Sequence, residues 1–182
     1  MSSFLLDEEA ISGKTRLMLP SRRHKLTIPF DRAMAWFNGA SQQGGALCGA
    51  GGKIVLNPHT CIRWTLNGGQ GYNIKPKLLG AWVSLILACR RTDDLLLLGD
   101  SKITIDWLNG LANFQVAALE CWKKRTKEAT LQFRKLFFTH IYREENYEAD
   151  TLSKKALHLP PGQICFTIWE DGNEGPAIKL IL

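Results

Sequence analysis

Two aspartates stand where a folded chain can put a carboxylate to use. Asp100 follows Leu95-Leu96-Leu97-Leu98-Gly99, a continuous apolar run of the kind found in a strand covered on both faces. In open α/β sheets the crevice beyond such a strand's carboxyl end is where ligands bind. Asp150 falls in the first turn of the segment 149–157, which reads as a helix. Each residue also has a plainer role: Asp100 could cap the helix after it, and any carboxylate is favoured in a first helical turn by the helix dipole. Asn38 raises a separate question. It lies in Ala35-Trp36-Phe37-Asn38-Gly39-Ala40-Ser41, at the point where an apolar strand is expected to leave its sheet for a turn. An amide there can hold a hard cation only weakly and without charge.

The elements that must position these residues follow from the spacing of apolar positions. Segments 33–37, 51–56 and 61–66 read as strands, and the Gly/Asn-rich joins between them suit antiparallel hairpins. From Pro76 to Arg90 the pattern is apolar almost all round and opens with Pro in its first turn, as a buried helix does. The run 95–98 is a fourth, central strand; 101–109 and 116–132 read as helices, 133–142 as a fifth strand, and 149–157 as a last helix. Three strands, helix, strand, helices, strand, helix give an α/β fold with a five-stranded mixed sheet, three antiparallel strands then parallel ones, and helices on both faces.

Composition sets the bounds. The 182 residues are 45% hydrophobic, enough for one well-buried domain. Residues 1–32 read as an arm or linker, 33–157 as the domain, and 158–182, after His158-Leu159-Pro160-Pro161-Gly162, as an extension containing a strand-like alternation at 163–169. Five cysteines without a CxxC pair suit small core residues in a reducing compartment. No apolar run approaches the ~18 residues of a membrane span, and the first residues carry acids where a signal peptide carries bases, so a soluble, intracellular (cytoplasmic or nuclear) monomer is expected. A net charge of +6 suits a polyanionic partner. The cluster Trp122-Lys123-Lys124-Arg125 with Lys127 reads either as a solvated helix face or as a phosphate-binding ridge. The glycines of 44–52 read as hairpin geometry.

Phe37–Ser41 with Cys48–Gly52, then 72–82, Leu98–Gly110 and His140–Asp150, occur in an order that resembles the ribonuclease H type 1 family. The likeness is nearest to reverse-transcriptase-like RNase H domains of plant retroelements, and covers residues 33–156. The resemblance implies cleavage of the RNA strand of an RNA–DNA hybrid by two magnesium ions, about 4 Å apart, among four carboxylates. Carried over residue by residue, the acid positions are Asn38, Lys77, Asp100 and Asp150. Two are still acids. The ligand charge falls from −4 to −1, since Asn38 contributes 0, Lys77 +1 and each Asp −1.

An ammonium offers no lone pair and repels a divalent ion by several kcal/mol across a few ångströms. Magnesium binding, confined to Asp100 and Asp150, is therefore expected to be weak or lost, and with it catalysis. Gly80, Ala81 and Ser84 form a small-residue face that would bring the helix close to the sheet and aim Lys77 at the strand ends, within about 4 Å of a carboxylate. A long side chain at a helix start could instead extend into solvent. The resemblance further implies that His140 matches a proton-shuttling histidine and Asn146 its polar neighbour. It also implies that Gly39, Ser41, Asn73 and Ser101 match positions that meet nucleic acid. The expected function is a nucleic-acid-binding, RNase H-like module of retroelement origin, impaired or inactive as a nuclease. An active hybrid endoribonuclease and a protein-interaction scaffold are the alternatives.

Overall fold

The computed structural model describes residues 32–71 and 74–182, so the expected arm, apart from Arg32, and the candidate Asn73 lie outside the described residues. The elements run β1 (Ala33–Gln42), β2 (Leu47–Asn57), β3 (Thr60–Gly69), α1 (Ile74–Ala88), β4 (Asp94–Gly99), α2 (Lys102–Leu108), α3 (Glu120–Thr130), β5 (Lys135–His140), α4 (Tyr147–Ala156), β6 (Gln163–Glu170), β7 (Asn173–Glu174) and β8 (Ile178–Ile181). The first three strands pair antiparallel, and β4 and β5 run parallel to β1.

The five expected strands stand in the order β5-β4-β1-β2-β3, but among the described residues the sheet has eight. The strand-like alternation at 163–169 lies within β6, which extends the sheet: β6 pairs with β3 over seven residues, and β7 and β8 pair with β6 on its far side. The free edge of β3 supplies unsatisfied backbone groups, and the period-2 segment that follows α4 satisfies them.

One face of the sheet carries the main core. Ala35, Phe37, Ile54, Ile62, Trp64, Leu66, Leu95 and Leu97 meet Leu78, Leu79, Val83 and Leu85 of α1. Each enclosed Leu or Ile is worth roughly 1.5–3 kcal/mol over leaving it in water. The opposite face receives α4. Gly49 and Gly51, expected to shape the hairpin, lie inside β2 beneath this helix: a Cβ on Gly51 would stand 2.5 Å from the Leu152 carbonyl carbon and the Ser153 nitrogen. The turn itself needs only residues 43–45, where Gly44 has φ 63°.

Asn38 is also placed differently from expectation. β1 continues past it to Gln42 because β2 stays in register alongside, with Asn38 opposite Gly51. What ends there is the pairing with β4, whose last pair is Phe37 with Gly99. Of the five cysteines, all free, only Cys48 is enclosed; burial pushes its thiol up to about 11, while Cys121 is exposed on α3. Among the described residues no helix is long and apolar enough to cross a membrane.

Candidate functional site

Two close approaches gather the four acid positions at one end of the sheet. On the core face α1 lies on β1 through missing side chains: a Cβ on Gly80 would stand 3.0 Å from the Asn38 carbonyl oxygen, and one on Gly39 2.5 Å from the Lys77 nitrogen. That contact points the first turn of α1 at the strand ends. On the other face α4 rests on Gly49 and Gly51, which sets Asp150 beside β1. Asn146, just before α4, ties the two together: its side-chain nitrogen donates to the Phe37 carbonyl at 2.9 Å, and its own carbonyl accepts from the Asp150 nitrogen. Asp100 closes β4, and His140 closes β5 beside it.

Lys77 points inward. Its Nζ donates to Asn38 Oδ1 at 2.6 Å and lies 3.5 Å from Asp100 Oδ1. Asn38 Nδ2 in turn donates to Asp150 Oδ1 at 3.0 Å, and Lys154 Nζ stands 3.0 Å from Asp150 Oδ2. The result is an alternating chain of donor and acceptor groups, Lys77 to Asn38 to Asp150 to Lys154. The amide at position 38 suits this chain, because its oxygen accepts from the ammonium while its nitrogen donates to the carboxylate, and an aspartate there could not donate. Asn38 is only 3% exposed, so both bonds form out of bulk water, where they are stronger.

The residues present do not fit a magnesium pair. Such a site needs several hard oxygens in near-octahedral array. Here Asn38 Oδ1 is taken by the ammonium, and both Asp150 oxygens have donors. Asp100 Oδ2 is buried and has no hydrogen-bond partner among the described residues. One open carboxylate oxygen beside an ammonium is a poor seat for a divalent cation. Among the described residues no group of three or more His, Cys, Asp or Glu could hold a metal ion.

The remaining candidates take varied positions. Asp100 does not cap α2; Ser101 does, its hydroxyl accepting from the Thr104 nitrogen at 3.4 Å. His140 Nε2 donates to the Asp100 carbonyl at 3.2 Å, and burial lowers the pKa of the ring, so it is neutral at pH 7. Gly39 is filled against by α1, and Ser41, half-buried, pairs with Cys48 across the hairpin. In the basic cluster, Lys123 is drawn inward to the Phe114 carbonyl and Asn113, whereas Lys124, Arg125 and Lys127 are exposed, with Arg125 stacked over Trp122 and Lys127 over Trp107.

Sequence reasoning passed over two groups near the site. Lys154 is one, although its i,i+4 spacing from Asp150 was there to read. Glu145 is the other: both its carboxylate oxygens are buried without a partner among the described residues, and burial raises its pKa above the ordinary 4.5. The folded state therefore holds this proton longer than the unfolded chain does. Stability linked to Glu145 is full below about pH 4.5 and falls as pH climbs through the raised value. Glu145→Gln is expected to abolish that loss, so that the difference in urea midpoint between variant and parent grows with pH across this window. A difference independent of pH would show that the carboxyl does not titrate abnormally.

Residues 79–156 match the family model described as reverse transcriptase-like. Among solved structures, RNase H1 of the archaeon Halobacterium salinarum is similar at 26% identity, over 69% of this chain and 97% of that one, with a TM-score of 0.64. The N-terminal RNase H domain of a Mycobacterium tuberculosis protein is similar at 18% identity, over 69% and 93%, with a TM-score of 0.63. LC11-RNase H1, isolated from compost and solved with an RNA/DNA hybrid, is similar at 17% identity, over 69% and 96%, with a TM-score of 0.62. No match is found among curated proteins.

Proposed function

We propose that this chain, which has the RNase H fold and a reverse-transcriptase-like segment, binds RNA–DNA hybrid or RNA without cutting it, as a retroelement-type RNase H domain whose metal centre has closed. The observation that carries the reading is the Lys77 ammonium, 2.6 Å from Asn38 Oδ1 and 3.5 Å from Asp100 Oδ1. It sits among the residues where the resemblance implies a cation and supplies a fixed positive charge instead. Asp100 and Asp150, which would otherwise repel each other, each face an ammonium or an amide donor.

Affinity for a polyanion does not depend on the lost ligands. The net charge of +6 and the exposed Lys124, Arg125 and Lys127 favour phosphates, and binding of this kind weakens as salt rises because counterions are released. The hybrid in the LC11 structure is the ligand of that protein, and motivates the choice of probe here.

The test pairs two measurements on pure protein with a labelled hybrid. Cleavage is expected to be absent in magnesium and in manganese, while fluorescence anisotropy reports binding that weakens steeply with salt. Robust metal-dependent cutting would favour the rival reading of an active hybrid endoribonuclease, for which the open Asp100 Oδ2 is the one supporting feature. No salt-sensitive binding at all would favour a protein-interaction scaffold.

A further inference from the structure

The face of the sheet that receives α4 is only partly covered. One register row crosses six strands on that face: Phe137 of β5, Leu96 of β4, Met34 of β1, Val55 of β2, Cys61 of β3 and Trp169 of β6. All six are apolar or nearly so, and none is buried: Phe137 is 45% exposed, and the other five are intermediate. Their strand neighbours on the opposite face, among them Ala35, Ile54, Ile62 and Leu97, are fully enclosed. α4 lies on Gly49 and Gly51, and through Glu148 it meets Lys53 and Arg63, one row short of the band. The band ends in opposite charges. Exposed Lys135 stands two residues before Phe137 on the same face of β5, and exposed Glu174 of β7 continues the row beyond Trp169. Neither side chain has a hydrogen-bond or ion-pair partner among the described residues.

We infer that this band seats an amphipathic helix of a partner protein, laid across the strands with an acidic first turn beside Lys135 and a basic last turn beside Glu174. The footprint has a helix's dimensions. From β5 to β7 the row is about 29 Å long at ~4.8 Å per strand, which a helix of ~19 residues spans. Charged residues stand two positions away on either side, Asp94 and Lys135 in one direction and Lys53 and Arg63 in the other, and leave a width of about 13 Å, close to a helix diameter. An area below about 400 Å² is half of what one side of a standard interface between globular proteins buries, so a lone helix fits where a domain does not. The two end charges select its direction, since helices favour acids in the first turn and bases in the last. A second copy fits poorly. A two-fold axis along the strands drives the two α4 helices, both seated on β2 at the middle of the row, into each other, and an axis across the strands sets Glu174 against Glu174. A polyanion fits no better: the row is apolar, Arg32 faces Asp94, Lys53 and Arg63 share Glu148, and Lys135 is offset by Glu174 at the far end. This placement is independent of the nucleic-acid reading, which concerns the other end of the sheet.

The test uses the full chain and two fluorescein-labelled 19-residue peptides built on one Leu/Ala apolar face. One carries Glu in its first turn and Lys in its last; in the other these charges are exchanged. By anisotropy at low ionic strength the parent is expected to bind the first about fivefold more tightly than the second, the contribution of two exposed ion pairs. The double variant Lys135→Glu, Glu174→Lys changes only exposed side chains and is expected to reverse that preference. Cys61 supplies the location: saturating peptide should slow its labelling by N-ethylmaleimide, followed by peptide mass spectrometry, and leave exposed Cys121 unchanged. Enclosed Cys48 should stay unlabelled in both proteins, which verifies the fold. Absence of saturable binding overturns the inference, as does a preference that the double variant does not reverse, or binding that leaves Cys61 unprotected. So does displacement of the peptide by an RNA–DNA hybrid, which would make the band part of a nucleic-acid surface. Protection of Cys61 that rises with protein concentration in the absence of peptide would overturn it in favour of a second copy.

Discussion

Replacing Asn38 by Asp and Lys77 by Glu in one protein is expected to give a chain that cuts RNA–DNA hybrid in magnesium, where the parent is expected to leave it intact. The cutting should exceed the parent's by at least about a hundredfold, since the charge stabilisation that bound metal supplies is worth several kcal/mol. The double change takes the charge of the four positions from −1 back to −4 and withdraws the ammonium that occupies the centre. Neither change suffices alone. Asn38→Asp by itself would pair tightly with Lys77, keep the cation out, and forfeit the donor that Asp150 Oδ1 now accepts from, setting two carboxylates face to face. Lys77→Glu by itself assembles three carboxylates with no counter-charge from α1, a costly cluster in the absence of a divalent ion.

Thermal unfolding gives a readout that does not depend on catalysis. Magnesium at 100 times its dissociation constant would stabilise the double variant by about 2.7 kcal/mol and leave the parent unmoved. A double variant that neither cuts nor responds to magnesium would mean that the crevice has changed in more than its ligands. That result would sink the claim that Lys77 and Asn38 alone closed it.

The second large effect is on stability. Gly39→Ala would set a methyl carbon 2.2 Å from the Pro76 carbonyl carbon, 2.4 Å from its oxygen and 2.5 Å from the Lys77 nitrogen. These are backbone atoms, and no side-chain rotation clears the space. The first turn of α1 must retreat from β1, and the expected cost is about 3 kcal/mol or more, the upper part of what overpacking usually inflicts. Gly44 is the useful comparison. It has nothing within 4 Å of a would-be Cβ but sits at φ 63°, so Gly44→Ala should cost only about 1 kcal/mol, from strain alone. Urea unfolding of the two variants separates lack of space from lack of conformational freedom. A cost at Gly39 no larger than at Gly44 would show the helix to be less tightly seated than these distances require.

Much of this was legible in the sequence. Periodicity placed every helix of the sheet's two faces, and the small residues Gly80, Ala81 and Ser84 indicated that α1 would lie close enough to aim Lys77 inward, where its ammonium is found. Other features were out of reach for definite reasons. Gly49 and Gly51 look the same in a sequence whether they shape a turn or make room for a helix, and only the arrival of α4 from a hundred residues away tells the two apart. The strand at 163–169 announced itself by alternation, but a pairing partner separated by a hundred residues leaves no local trace. The double role of the Asn38 amide needed both of its partners to be located before it could be seen.

The pairing of β6 with β3 also decides how small a working piece of this molecule can be. Ile164 and Phe166 reach across into the main core, and their strand satisfies the backbone of Thr60–Leu66. A fragment ended at Leu157, where the sequence pattern alone places the end of the domain, would shed both side chains and bare a hydrogen-bonding margin seven residues long. Such margins recruit strands from other molecules. The shortened protein is therefore expected to come out of the cell as aggregate, and the piece that stays in solution is the one carried through to β8.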